Sequence, residues 1–200
     1  MQKVNIILAF LALQLLQPVF PQDEKPRFYS VALVPQYLFV SGLRVDFEYN
    51  INKNNWIQFA PQVYQNESSG RLINSKYRSV NGTGCMVSHK IFLYKERNSP
   101  EGAYFSYGLG YNYFDLISVN QQTNLTSTLR VDALSSDITM GYQFIASQRL
   151  LFDIYWGLGT KYSFITHISG IGTETYNATV YDFDYSGNRF VGGFRIGFIF

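Results

Sequence analysis

Residues 152–164 read FDIYWGLGTKYSF, and large apolar side chains occupy alternate positions of this stretch. One parity includes Trp156 and Phe164, while the other holds Asp153 and Lys161 together with glycines. Because successive side chains of a strand point to opposite faces of a sheet, this alternation predicts a β-strand with one apolar and one polar face. The same alternation recurs in residues 43–51, 105–113, 137–144 and 190–200. The sequence therefore indicates an all-β fold.

Eight strands are predicted, and the connections between them alternate in length. The strands are predicted at 28–35, 42–51, 55–65, 84–94, 103–115, 130–145, 150–164 and 190–200. Tight connections fall at 52–54 and 147–149, and one of moderate length at 95–102. Long polar segments fall at 66–82, 118–128 and 166–188, while 35–41 is short and apolar. An even strand number with short turns at one end and long loops at the other is typical of outer-membrane barrels. We therefore predict an eight-stranded antiparallel up-and-down transmembrane β-barrel, with both termini periplasmic and the long loops extracellular.

The composition excludes several other classes of protein. The 200 residues carry a formal net charge of +2, so the sequence has no basic surface typical of nucleic-acid binding, and no nucleic-acid partner is expected. A mean hydropathy of -0.06 excludes a helical membrane bundle but not a barrel, whose strands alternate apolar and polar residues. The single cysteine, Cys85, excludes a disulfide scaffold.

The N-terminal segment has the features of a secretory signal. Lys3 precedes a short apolar run from Ile6 to Leu13, and the stretch that continues through Leu15 and Leu16 is interrupted by Gln14, Gln17 and Pro18, so it is too short and too interrupted for a membrane span. We predict a signal peptide at 1–22 and a barrel domain at 23–200.

The composition of the two parities predicts which face meets lipid. The interior of an eight-stranded barrel is just wide enough for side chains, so it could hardly hold the many aromatic rings of the apolar parity. We expect the rings on the lipid side, with Trp56 in the aromatic girdle near the turns. The alternative is a secreted soluble ligand-binding barrel, which would place its apolar face inside.

The polar parity carries four acids and four bases. A balanced set is what burial requires, because an unpaired buried charge is costly. We therefore predict an ion-pair network that plugs the lumen, and we expect no diffusion pore. The predicted interior network comprises Arg44, Asp46, Glu48, Lys90, Asp137, Asp153, Lys161 and Arg195.

Two segments resemble known barrels. Residues 194–200, FRIGFIF, resemble the C-terminal strand of bacterial outer-membrane proteins, and the alternating residues of this stretch are Phe194, Ile196, Phe198 and Phe200. Residues 31–56 resemble uncharacterised small barrels of Bacteroidota. Together with the predicted signal and strands, the chain resembles small outer-membrane barrels of the OmpA/OmpX type. The resemblance implies recognition of the last strand by the outer-membrane assembly machinery, and contact with outer-membrane lipid and lipopolysaccharide.

One weak catalytic pattern deserves weighing against these signals. His167 and Ser169 form a His-x-Ser sequence followed by Glu174, and outer-membrane lipid A deacylases are similar in using a His-x-Ser with a Glu. The histidine would activate the serine hydroxyl and the glutamate would orient the imidazole. However, Glu174 follows too closely for the spacing of that family. We therefore predict a protein that is not an enzyme and has no cofactor or metal, with a lipid A-modifying hydrolase as the alternative.

The predicted function follows from a plugged lumen and long loops. Loops on a rigid scaffold usually carry function. We expect the chain to act through its surface loops or as an accessory subunit of a larger outer-membrane complex.

Overall fold

A computed structural model describes residues 29–52, 54–66, 77–93, 100–119, 126–147, 149–169 and 183–200. These residues form a closed barrel of eight antiparallel strands in up-and-down order, which confirms the predicted all-β barrel. The strands are β1 (Tyr29–Leu33), β2 (Gly42–Asn52), β3 (Asn55–Asn66), β4 (Tyr77–Phe92), β5 (Gly102–Val119), β6 (Thr126–Ala146), β7 (Leu150–Ser169) and β8 (Gly187–Ile199). The predicted signal peptide, 1–22, lies outside the described residues. Across the described ranges, no helix has the length and apolar character needed to cross a membrane.

Several strands extend further toward the loop end than the sequence predicts. β4 begins at Tyr77 rather than at 84, and β7 continues to Ser169 rather than ending at 164. In the added part of β4, Val80 is buried while Asn81 and Thr83 are exposed. The outward face is polar there, so the apolar alternation fades although the strand continues. The sequence therefore predicts loops where the structure has the polar ends of strands.

The ladder register fixes the tilt of the strands. Starting at Val31, successive cross-strand partners lead through Phe47, Phe59, Val87, Leu109, Ser136 and Thr160 to Asn188. The partner of Val31 on β8 is instead Phe198, so one circuit shifts the register by 198 − 188 = 10 residues. For eight strands, this stagger corresponds to a tilt of about 40° from the barrel axis.

The two side-chain parities occupy opposite faces of the wall, as predicted. Trp156 and Phe194 are 47% and 43% exposed on the outside, whereas Asp153 and Arg195 are buried inside. Compared with a soluble barrel, the two faces are therefore exchanged: aromatic side chains point outward and charged side chains point into the lumen.

The prediction that Trp56 belongs to the outer aromatic girdle is wrong. Its side chain is only 1% exposed and packs inside, with its ring 6.3 Å from that of Phe92 in an edge-on arrangement. The interior thus accepts more aromatic rings than we expected, because glycines and serines elsewhere on the wall leave room for them. The inward residues of β3 between Trp56 and Tyr64 include Gln58, Ala60 and Gln62.

β1 is short, and a 3₁₀ helix at Pro35–Val40 follows it. The helix starts with a proline and ends where Ser41 adopts a left-handed conformation with φ of 57°. Tyr37 and Val40 of this helix pack against buried residues at the loop end of the barrel. The apolar connection between β1 and β2 therefore forms part of the barrel structure.

Candidate functional site

The lumen contains a network of buried ion pairs centred on Lys90. The Lys90 ammonium is fully buried and lies 2.7 Å from Glu48 Oε1 and 3.0 Å from Asp153 Oδ2. It also donates a hydrogen bond of 2.6 Å to Gln143 Oε1. Three acceptors from three strands therefore surround one cation, as burial of an ammonium requires.

Arg195 connects this group to the β2 side of the barrel. Its Nη1 lies 2.5 Å from Asp153 Oδ2, and its Nε lies 2.7 Å from Asp46 Oδ2. Asp46 also accepts a 2.7 Å bond from Arg44 Nε and a 2.5 Å bond from Gln58 Nε2. Each buried charge in this chain of contacts thus has a partner of opposite sign.

Neutral side chains complete the network. Tyr104 donates a 2.7 Å bond to Asp153 Oδ1, and Ser30 donates a 2.9 Å bond to Glu48 Oε2. The Arg195 guanidinium carbon lies 4.1 Å from the ring centre of Tyr155. Three bases and three acids balance, so the connected group carries no net charge: Arg44, Lys90 and Arg195 against Asp46, Glu48 and Asp153.

The remaining two predicted charges lie nearer the loop end. Asp137 is buried, and its Oδ1 lies 2.9 Å from Nη2 of Arg189. Sequence reasoning missed Arg189 because it began the last strand at residue 190. Lys161 is half-buried and donates a 2.5 Å bond to the backbone oxygen of Phe183. Lys161 therefore fastens the segment before β8 to the wall.

Two apolar clusters close the lumen on either side of the central network. The cluster at the turn end contains Ala32, Trp56, Phe92, Tyr104, Leu151, Tyr155 and Ile199. The cluster at the loop end contains Tyr64, Val80, Phe114, Leu116, Leu129 and Val131, with Phe183 packed on it. Between them, near Arg44, Ser106 and Asp137, lies a polar cavity with a volume of about 20 Å³. That space suits one or two water molecules.

The outward face carries an apolar belt. On β6 the exposed side chains Leu134, Ile138, Met140 and Phe144 span eleven residues, or ten residue steps, with Ser136 as a polar gap. Ten residue steps extend about 33 Å along a strand, which is about 25 Å of height at a tilt of about 40°. This height equals the apolar band expected of an outer-membrane barrel, about 25 Å.

Polar pairs border the belt at the loop end. Arg130 Nε lies 3.5 Å from Asp115 Oδ1 on the outer surface, and Tyr113 donates a 3.0 Å bond to the same carboxylate. Tyr111 donates to Asp132. On β7 the exposed aromatic side chains extend further toward the loop end, because Phe164, the cross-strand partner of Asp132, is exposed. The border is therefore sharp on β5 and β6 and higher on β7.

The residues of the predicted assembly signal lie on the outward face of β8 or just after it. Phe194, Ile196 and Phe200 are exposed, and Phe198 is half-buried. The ring of Phe200 stacks on Tyr29, with centroids 5.2 Å apart. This stacking ties the end of the last strand to the start of the first.

The weak catalytic pattern falls largely outside the part of the chain that the structure describes. The backbone of His167 pairs with Leu129 and that of Ser169 with Thr128, near the loop end of β7. The side chains of both residues, and all of Glu174, lie outside the described part. Within the ranges that the structure describes, no three His, Cys, Asp or Glu side chains converge on a possible metal site.

No protein-family model matches the sequence, and no curated protein matches it.

Proposed function

We propose that this chain is a non-enzymatic barrel of the bacterial outer membrane, with a plugged lumen, extracellular loops and periplasmic termini. It acts as an accessory subunit of a larger outer-membrane complex or through its surface loops. The observation that carries the proposal is the inverted barrel, with an apolar belt about 25 Å high on the outside. A soluble binding barrel would present charge to water and keep its rings inside.

The interior supports the choice of a structural over a transport role. The ion pairs around Lys90 and Arg195 fill the middle of the lumen, and apolar clusters close it on both sides. Eight strands enclose too little space for both side chains and an aqueous channel. The proposed function therefore belongs to the outer surface of the protein.

A charge placed on the belt tests the membrane location. Leu109 is 70% exposed at mid-height of the belt, so Leu109→Arg should lower the free energy of unfolding in phospholipid vesicles by about 2–4 kcal/mol. Asn81→Arg, on the exposed polar surface beyond the belt, is the control and should cost about 0–1 kcal/mol. Denaturant titration followed by tryptophan fluorescence measures both. Equal and small effects would contradict the proposal, because a wall in water is indifferent to an added surface arginine.

Extraction in mild detergent tests the accessory role. A subunit of a larger complex should elute with its partners on size exclusion, at a mass well above that of one barrel plus one micelle. A lone monomer under conditions that preserve other outer-membrane complexes would leave only the role of the surface loops.

A further inference from the structure

The outward side chains change character where β5, β6 and β7 leave the apolar belt. On β6, Leu134 ends the run of exposed apolar side chains, and Asp132 and Arg130 follow it toward the loop end. The ladders continue through this level, so β6 stays paired with both β5 and β7. The surface here is therefore an ordered sheet in which the backbone of β6 has a neighbour on each side.

Side chains of these three strands form two rows across the outer surface. Each row has an aromatic residue of β5, a residue of β6 in the middle and an aromatic residue of β7. Neighbouring strands lie about 4.8 Å apart, so the rings of β5 and β7 stand on strands about 10 Å apart. We call this surface the aromatic patch, and its rows are Tyr111, Leu134 and Tyr162, and Tyr113, Asp132 and Phe164.

The β7 side of the aromatic patch exposes two rings in contact with each other. Tyr162 and Phe164 are 61% and 51% exposed, and their ring centroids lie 4.7 Å apart in an edge-on arrangement. Phe164 pairs with Asp132, so it stands at a height where the neighbouring strand presents a charge. Contact with hydrocarbon therefore does not account for this ring, because a carboxylate beside it would face the same surroundings.

The β5 and β6 side of the aromatic patch holds two carboxylates in fixed positions. Tyr111 donates to Asp132, and Tyr113 donates a 3.0 Å bond to Asp115. Arg130 Nε lies 3.5 Å from Asp115 Oδ1, and the guanidinium carbon lies 5.4 Å from the ring centre of Tyr113. A carboxylate has about four acceptor sites, so these bonds leave acceptor capacity on the outer surface.

Exposed ring faces beside fixed carboxylates match the chemistry of a saccharide. A sugar ring has C–H groups on its faces, which pack against the negative face of an aromatic ring, and hydroxyl groups that donate to carboxylates. An acyl chain would use the rings but leave the carboxylates without water. An extended peptide adds to a free sheet edge, and β6 has none at this level. A bare phosphate would meet two carboxylates and one guanidinium, which is a net negative charge.

The position of the aromatic patch indicates the source of the saccharide. The patch starts where the apolar belt ends, and Ile138 of β6 and Leu158 of β7 are exposed on the belt directly below it. Lipid headgroups lie at the border of the hydrocarbon. A glycolipid can therefore place its sugar on the patch and its acyl chains on the belt at the same time. A soluble glycan would gain only the first of these contacts.

We propose that the aromatic patch of β5, β6 and β7 binds the saccharide headgroup of a glycolipid in the outer leaflet of the membrane. Tyr162 and Phe164 pack against the sugar ring, and Asp132 accepts hydrogen bonds from its hydroxyl groups. This inference rests on the proposed membrane location and names the class of ligand that the outer surface of the barrel recognises.

Native mass spectrometry of the protein in detergent micelles tests the proposal. The probes are rough-type lipopolysaccharide, a phosphatidylethanolamine, and the free oligosaccharide released from the same lipopolysaccharide. We expect lipopolysaccharide to stay bound at concentrations where the other two probes do not. Equal retention of the phospholipid would overturn recognition of the saccharide. Equal retention of the free oligosaccharide would overturn the assignment to a membrane glycolipid.

Matched substitutions test which contacts carry the binding. Phe164→Leu keeps an apolar side chain and removes the ring, so the affinity for lipopolysaccharide should fall about three- to ten-fold. Phe194→Leu makes the same change on the belt of β8 and should leave the affinity unchanged. Asp132→Asn keeps an oxygen that can accept from Tyr111 and removes the charge, and it should lower the affinity at least about five-fold. Equal affinities of the two leucine variants, or an unaffected Asp132→Asn variant, would overturn the proposed site.

Hydroxyl-radical labelling of the unaltered protein gives a second measurement that does not depend on the folding of any variant. Lipopolysaccharide should protect Tyr162 and Phe164 relative to phosphatidylethanolamine, while the labelling of Phe194 should be the same with both lipids. Equal labelling of Tyr162 and Phe164 with the two lipids would overturn the proposal.

The membrane proposal and the glycolipid proposal fail separately. Absence of the chain from the outer-membrane fraction would overturn both. Presence in that fraction, with equal retention of lipopolysaccharide and phosphatidylethanolamine, would overturn the glycolipid site alone.

Discussion

At the scale of single residues, Lys90 is the most consequential side chain of the interior. It is fully buried and serves two carboxylates, those of Glu48 and Asp153. An ion removed from such a site leaves its partners charged in surroundings that solvate them poorly. The network is therefore stable only when its members are present together.

Lys90→Met should lower the free energy of unfolding by about 3–5 kcal/mol, because Glu48 loses its cation and Asp153 keeps only Arg195. Denaturant titration in vesicles measures the loss. Arg130→Met, which removes an exposed ion pair, should leave the free energy of unfolding nearly unchanged. Adding Glu48→Gln to Lys90→Met should cost less than the sum of the two single changes. Strict additivity would show that these residues do not act as a network.

The sequence predicts the inward charges well and the inward rings poorly. Asp46 and Asp153 lie on the parity opposite to their ring-bearing neighbours, and this rule places both inside. Trp56 breaks the rule, because an apolar side chain can pack on either face of a membrane wall. Which face it takes depends on the space left by Phe92 and Tyr104, and those contacts come from strands distant in sequence.

At the scale of elements, small residues let neighbouring strands approach closely. A Cβ added to Gly157 of β7 would overlap Ile138 O and lie 2.6 Å from Thr139 Cα on β6. The obstacle is backbone, which cannot move without disturbing the ladder. At Gly192 of β8, by contrast, an added Cβ would meet its nearest atom, Tyr155 O, at an ordinary contact distance of 3.4 Å.

Gly157→Ala should therefore destabilise the barrel by about 1–3 kcal/mol through strain in the β6–β7 pair. Gly192→Ala should leave stability unchanged or raise it by about 0.4–1 kcal/mol, since the unfolded chain loses freedom. Midpoints of denaturant unfolding compare the two variants. The reverse order would mean that the β6–β7 spacing tolerates a methyl group without cost.

The sequence also could not reveal the 3₁₀ helix. The sequence predicts only a short apolar connection at 35–41, and the apolar residues of Pro35–Val40 do not by themselves distinguish a helix from irregular chain. The helix depends on contacts of Tyr37 and Gln36 with Arg44 and Tyr155, which become neighbours only when the barrel closes. The limits of β4 and β7 were missed for a related reason, since their polar ends are held by partner strands rather than by an apolar face.

At the scale of the whole molecule, the barrel is a closed cylinder with a solid interior. The central ion pairs and the two apolar clusters occupy the lumen along its length. The remaining space near Asp137 suits one or two waters and not a solute.

The purified protein should give no steady conductance in planar lipid bilayers, because no continuous water path crosses the clusters. Single-channel recording at both polarities measures this, with a porin as the positive control. Reproducible openings of solute size would show that the lumen clears, and would contradict the plugged interior.

The strands β5, β6 and β7 extend past the apolar belt as a hydrogen-bonded ribbon, with the pairs Val119–Thr126 and Thr128–Ser169 near its tip. A partner that bound at this end would meet a surface whose backbone is already hydrogen-bonded. Little conformational entropy remains to be lost there on binding, so a modest contact area can suffice for recognition. The height of this wall thus gives the protein a rigid platform that a slack loop of the same composition would lack.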